Sequence, residues 1–197
     1  MDTDKMLTAY FIETGSCCSL LVTVAAPGSG TVTLSPPQPT DGYEPGDNVT
    51  LTAVAAPGYV FSRWEGSLTG TANPAQVSVA GNQSGAAIFN PTVQLVHEPS
   101  QGGTVTLEPE QPWDGYAPGT EVTASAVAAE GYEFDRWGDG LSGGESQQAF
   151  TVSGPMTITA HFAAQTEFPW KWVGVGVAGF LLAILLAWYV RSDLLKG

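Results

Sequence analysis

One offset of 73 residues organises the chain between residues 20 and 164. Gly30-Thr31-Val32-Thr33-Leu34 recurs as Gly103-Thr104-Val105-Thr106-Leu107, Asp41-Gly42-Tyr43 as Asp114-Gly115-Tyr116, and Pro45-Gly46 as Pro118-Gly119. Gly58-Tyr59-Val60-Phe61-Ser62-Arg63-Trp64 returns as Gly131-Tyr132-Glu133-Phe134-Asp135-Arg136-Trp137, and Ala87-Ile88-Phe89 as Ala160-His161-Phe162. Chance does not hold one offset, without insertion, through separate blocks. The segment is therefore two copies of one unit, residues 20–91 and 92–164.

Within each copy the apolar period is 2. Val32 and Leu34 alternate with threonines, as do Val49 and Leu51, and Val77-Ser78-Val79 and Phe150-Thr151-Val152 behave alike. Alternation rich in β-branched residues marks half-buried strands. Pro27-Gly28, Asp41-Gly42, Pro45-Gly46 and Pro57-Gly58 stand between the runs. Proline fixes φ and glycine supplies positive φ, which is the chemistry of turns. The chain carries 24 Gly and 14 Pro, and no stretch before residue 170 shows an apolar stripe of helical period. Both residues break helices, so a helical bundle is excluded and an all-β fold of two tandem modules, each of about six short strands, is expected. Tyr59, Phe61, Trp64 and Phe89 are the expected core of the first module, and Tyr132, Phe134, Trp137 and Phe162 that of the second. They supply large apolar area to small domains. Arg63 and Arg136 are expected to lie over an aromatic face or to pair with a neighbouring carboxylate. The competing reading of the aromatics is an exposed platform for carbohydrate.

The string G-Y-x-F-x-R-W, preceded by Y-x-P-G-x-x-V-T and closed by a strand ending A-x-F, resembles the divergent internalin-type B-repeat family of bacterial surface repeats. The matching residues are Tyr43, Pro45, Gly46, Val49, Thr50, Gly58, Tyr59, Phe61, Trp64, Ala87 and Phe89, and their partners from Tyr116 to Phe162. The resemblance implies tandem modules in large exported surface proteins, acting as stalks, spacers or adhesive units, and it brings no catalytic residue with it. The chain departs from such arrays in having two full repeats. Met6 to Phe11 resembles the closing strand Met156 to Phe162, so residues 1–19 are read as the last strand of a truncated upstream repeat plus a linker. Asp2 and Asp4 stand where a signal peptide would be basic. The expectation is therefore the C-terminal part of a longer exported protein.

The C-terminal end is a different material. Trp172 to Val190 reads WVGVGVAGFLLAILLAWYV, nineteen residues without a charge. As a helix this run spans roughly 28 Å, about one hydrocarbon core. Phe168, Trp170 and Trp172 on one side and Trp188 and Tyr189 on the other form the aromatic belts of a membrane helix, and Arg191 and Lys196 mark its cytoplasmic side. The expected order is a juxtamembrane linker at 165–171, a transmembrane helix at 172–190 and a cytoplasmic tail at 191–197, with the N-terminal region extracellular or periplasmic. The formal charge of −13 divides accordingly: before Trp170 only Lys5, Arg63 and Arg136 oppose eighteen acids, a net −15. Such a surface cannot neutralise phosphates, which excludes a nucleic-acid partner, and it is repelled by anionic headgroups.

Chemistry-bearing residues are sparse. Cys17 and Cys18 lack the apolar residue and h-region of a lipidation site, adjacent cysteines bridge each other only with strain, and free thiols or an intermolecular contact are expected. With no nearby histidine or third cysteine they make no zinc site. His97 and His161 are isolated, His161 as an outward strand residue, and no Ser-His-Asp set recurs. Asp135, Asp139 and Glu145 are the candidate calcium ligands, but Trp137 fills a ligand position and Glu145 falls one residue early, so a solvated acidic turn is preferred. The reading is a non-enzymatic, membrane-anchored surface repeat protein without a cofactor, a stalk, spacer or adhesion module whose partners are the bilayer and other surface proteins or glycans. The alternatives are an accessory single-span subunit of a membrane complex, suggested by Gly174, Gly176 and Gly179, and a glycan-binding adhesin presenting aromatics such as Trp113.

Overall fold

Alternating apolar and hydroxyl residues become strands throughout residues 18–165, the part of the chain that this computed structural model describes. In the first module these are β1 (Leu20–Val24), β2 (Gly30–Ser35), β3 (Asp47–Ala55), β4 (Tyr59–Gly66), β5 (Ala75–Val79) and β6 (Gln83–Pro91). The second repeats them as β7 (Val93–Glu98), β8 (Gly103–Glu108), β9 (Thr120–Ala128), β10 (Tyr132–Asp139), β11 (Gln147–Val152) and β12 (Met156–Ala164). The described residues contain no helix, and the fold is all-β with two tandem modules.

Each module is built from two three-stranded sheets. One is antiparallel, in the order β2-β3-β5 and again β8-β9-β11, with Leu34 opposite Leu51 and Val49 opposite Val77. The other, β1-β6-β4 and β7-β12-β10, places the first strand of the module parallel to its last. Leu20 pairs with Gln83 and Val24 with Ala87, so the chain enters beside the start of β6 and leaves at its far end. At about 3.3 Å per residue, entry and exit are separated by roughly 26 Å. Between the last strand of one module and the first of the next stands the single residue Thr92.

The inward faces of the two sheets close over one core per module. Val49, Leu51, Val79 and Ala87 are fully buried in the first, and Val122, Ala124, Val152, Ile158 and Ala160 in the second. The aromatic block is more specific than period 2 allows. Phe61 and Trp64 are three residues apart, which on a regular strand puts them on opposite faces. A bulge in β4 between Phe61 and Arg63, opposite Phe89 and Ile88, inserts the extra residue that returns both rings to one side. Their centroids then lie 5.0 Å apart, and Phe61 meets Phe89 edge-on at 5.8 Å. The second module repeats this with Phe134, Trp137 and Phe162 at 5.0 and 5.9 Å. Trp64, Phe89, Trp137 and Phe162 are buried, while Tyr59, Phe61, Tyr132 and Phe134 pack half-buried against them.

A buried indole needs an acceptor for its N–H. Trp64 Nε1 donates to the Ala72 carbonyl at 2.8 Å and Trp137 Nε1 to the Glu145 carbonyl at 2.7 Å, which ties the long β4–β5 and β10–β11 loops to the cores. Among the described residues no buried side-chain donor or acceptor lacks a partner. Replacing Trp64 or Trp137 by Ala removes the ring and frees its loop, and each change is expected to lower unfolding stability by about 3–5 kcal/mol. Urea titration of the single variants checks this; a loss below about 1 kcal/mol would show that the tryptophan does not organise its module.

Candidate functional site

The sequence-derived site residues are dispersed rather than convergent. Arg63 and Arg136 take the carboxylate option: Arg63 Nε donates to Glu65 at 2.9 Å, with a second contact from its Nη2, and Arg136 pairs with Asp135. Both pairs are about half exposed, so each contributes below about 1 kcal/mol. Asp139 accepts from the Thr159 hydroxyl, and Glu145 contributes its backbone carbonyl to Trp137. Asp135, Asp139 and Glu145 are thus engaged separately, and among the described residues no group of three or more His, Cys, Asp or Glu is placed to hold a metal ion. His97 Nδ1 lies 3.0 Å from the Ser100 carbonyl and His161 Nδ1 3.6 Å from a Glu98 carboxylate oxygen.

Cys18 corrects the expectation of a free thiol. It is buried and disulfide-bonded. Its backbone also pairs with Tyr43, N–H to carbonyl in both directions, at 3.3 and 2.8 Å. The proposed transmembrane run, with Trp172, Trp188, Tyr189 and Arg191, and the remnant strand at 1–12 lie outside the described residues. Among the described residues no helix is long and apolar enough to cross a membrane.

A pair of buried tyrosines escaped the sequence reading of the core. Tyr43 and Tyr116 are the largest fully buried side chains, and their hydroxyls donate to the carbonyls of Pro36 (2.8 Å) and Pro109 (2.6 Å). Beside each, a glutamine caps the module's first strand: Leu20 N–H donates to Gln38 Oε1 and Val93 N–H to Gln111 Oε1, at 2.8 and 2.6 Å. Pro36 and Pro109, and Gln38 and Gln111, also stand 73 residues apart, so the repeat itself carried this signal. Burial raises both phenols above the ordinary 10.0, helped by Asp47 at Tyr43 and by Glu110 and Glu108 at Tyr116. Glu108 and Glu110 also line a groove of about 550 Å³ between β7 and β8, whose walls include Val93, Leu95, Val105 and Leu107. Trp113, two residues beyond Gln111, is 75% exposed.

The second built feature is the junction between the modules. Ser62, 2% exposed on β4, donates its hydroxyl to Asp114 Oδ2 at 2.7 Å. Gly115 fits against the first module with φ +76°; a Cβ there would stand 2.7 Å from the Pro91 carbonyl and 2.9 Å from a Val60 methyl. Tyr116 N–H donates to that same Pro91 carbonyl at 3.0 Å. Thr92 turns both its N–H and its hydroxyl onto the Gly58 carbonyl, at 2.8 and 3.0 Å. On the other side of Gly58, Pro155 closes so tightly that a Cβ on the glycine would lie 2.5 Å from it. With a one-residue connection and hydrogen bonds on both sides of it, the two modules are held in one arrangement.

Duplicated two-sheet modules, each with its tryptophan and tyrosine locks, define a tandem β-repeat protein. The chain belongs to the divergent InlB B-repeat domain family, whose model matches residues 20–92 and again 93–166. That family of repeats is not typically enzymatic. No characterised protein and no solved structure matches the chain.

The tyrosine locks give a pH signature. A phenol whose folded value is raised keeps its proton in the native state after the unfolded chain has lost it. Its contribution is complete below about pH 10 and is lost as pH rises through the folded value. Urea midpoints taken from about pH 8 to about 11.5 should therefore fall with rising pH. A Tyr43→Phe/Tyr116→Phe variant should start about 1–3 kcal/mol less stable for each stranded carbonyl and decline less steeply. Parallel pH profiles of the two proteins would refute the lock.

Proposed function

We propose that the chain is a non-enzymatic, membrane-anchored surface protein in which the two repeats form a stalk or spacer and offer an interaction surface beyond the envelope. The observation that carries this reading is the parallel pairing of each module's first and last strands. It sends the chain in at one end and out at the other, so successive modules add length instead of folding back. The single-residue connection at Thr92 and the Ser62–Asp114 bond make that length stiff. The uncharged run Trp172–Val190, followed by Arg191, supports retention in a bilayer with the C-terminus cytoplasmic. The excess of acids before it suits a surface that stands away from anionic headgroups. Membership of a repeat family of the internalin B type agrees with a role at the cell surface among other surface proteins.

One observation favours a second reading, glycan adhesion. Trp113 is 75% exposed, two residues in sequence beyond Gln111, which lines the groove with Glu108 and Glu110, and an exposed indole stacks on the apolar face of a sugar ring. Glycan-array binding abolished by Trp113→Ala would establish it, and silence of the wild-type protein would remove it.

Protease shaving of intact cells tests the main reading. External protease should release fragments from residues 1–167 and leave a tag at the C-terminus protected. A protected repeat region, or a cleaved C-terminal tag, would overturn the topology.

A further inference from the structure

The junction supplies a template against which the two open ends of the module pair can be compared. On the first module it uses Gly58, Val60, Ser62, Asn90 and Pro91; on the second it uses the turn Asp114-Gly115-Tyr116. Each residue has a counterpart 73 positions away, so among the described residues one copy of both halves is used and one is unused.

The unused turn is intact. Asp41-Gly42-Tyr43 repeats Asp114-Gly115-Tyr116 in identity, and Gly42 has φ +96° where Gly115 has +76°. Tyr43 N–H donates to the Cys18 carbonyl as Tyr116 N–H does to that of Pro91, so Cys18 already plays the part of Pro91. Burial differs. Gly115 is buried and Asp114 half-buried under the first module, whereas Asp41 is exposed and Gly42 half-buried. The turn keeps the features that receive a β4-type strand, and among the described residues no hydroxyl is seated on its carboxylate as Ser62 is on Asp114.

The unused strand face has changed. Val60 and Ser62 are replaced by Glu133 and Asp135, both exposed, and nothing stands within 4 Å of a Cβ placed on Gly131 where Pro155 covers Gly58. Docked on an Asp41-Gly42 turn as the first module docks on Asp114-Gly115, Asp135 would set its carboxylate at hydrogen-bond distance from that of Asp41. Glu133 would occupy the place of an aliphatic side chain against backbone. The two carboxylates would then compete for the one guanidinium of Arg136, which already pairs with Asp135, and an acceptor would stand where Ser62 supplies a donor.

We propose that the Asp41-Gly42 turn is a docking face for another repeat of this type, one carrying an aliphatic residue and a hydroxyl where the first module carries Val60 and Ser62. Glu133 and Asp135 close the corresponding face of the second module to such docking. An array of these repeats therefore has a direction, and the second module is its terminal unit. Terminal repeats of stacked arrays need a polar outer face, and here two substitutions against the internal template provide it. The inference concerns recognition between repeats and stands whether or not the chain sits in a membrane.

Two experiments on the full chain test it. The double variant Glu133→Val/Asp135→Ser restores the template at the closed end. A short linker holds neighbouring modules at an effective concentration in the millimolar range, so the chain is examined at about 1 mM. Sedimentation velocity should show at least about a twofold higher weight-average mass than wild type under the same conditions, and adding Asp41→Arg should return it to the wild-type value. A double variant that sediments like wild type overturns the proposal, as does association that survives Asp41→Arg. In the converse experiment Ser62→Asp sets the terminal residue into the existing junction. Proteolysis at the Thr92 connection should accelerate at least about tenfold, and Asp114→Ser in the same chain, which exchanges donor and acceptor, should reverse most of that gain. Cleavage of Ser62→Asp at the wild-type rate would show that a carboxylate is tolerated there and would overturn the stop.

Discussion

The pairing of the first strand of each module with its last is the constraint on which the rest depends. Parallel neighbours cannot be joined by a tight turn, so everything between β1 and β6 must travel out and back before the sheet closes. The three strands β2, β3 and β5 use that path to build the opposing antiparallel sheet, and the core is what the two layers enclose. The same pairing fixes the chain's direction through the module. A hairpin-closed unit would return the chain to its starting end; this one delivers it to the far end, where Thr92 passes directly into the next module.

Two aromatic locks hold that closure. The indole of Trp64 or Trp137 reaches across the core to a loop carbonyl, and the phenol of Tyr43 or Tyr116 reaches to the carbonyl of a proline seven residues earlier. Both join a long connection, which has no ladder of its own, to the buried layer. A fully satisfied polar contact in a low-dielectric interior specifies one arrangement where apolar packing alone would accept several. Small modules with little core to spare therefore use their few large residues twice, for area and for position.

Much of this was legible in the residues. Period 2 with turn chemistry identified the strands, and the constant offset identified two copies. The harder features were those in which geometry departs from period. Phe61 and Trp64 are both expected in the core, but their odd spacing reaches it only through the bulge between Phe61 and Arg63, which period 2 does not announce. Tyr43 and Tyr116 sit in Gly- and Pro-rich turns, where burial is not expected, yet both are buried in their module cores, with their backbones bonded to Cys18 ahead of β1 and to Pro91 ahead of β7. Adjacent cysteines suggested free thiols, yet Cys18 is disulfide-bonded. One contact is conserved in role and not in chemistry. Asn73 caps Ala53 through its side-chain amide, at 2.9 and 2.8 Å, while the equivalent Ser146 caps Ala126 with its backbone carbonyl at 2.8 Å. No alignment of side chains could find that equivalence, because the backbone supplies the missing acceptor.

An internal duplication also acts as its own control. Positions that agree at the 73-residue offset report what every module needs to fold: Gly30 and Gly103, Tyr43 and Tyr116, Trp64 and Trp137. Positions that disagree report what each module does in its place. Most differences fall on exposed positions of loops and strands, where substitution changes little. Val60/Glu133 and Ser62/Asp135 are of another kind, since one member of each pair touches the next module and the other faces away from it. A buried hydroxyl cannot become a carboxylate opposite an aspartate without expelling it, and an aliphatic contact cannot become glutamate without losing the packing. Where the fold is constant and the interface is not, the substituted residues mark the interface, and the direction of the substitution tells which end of the array is closed.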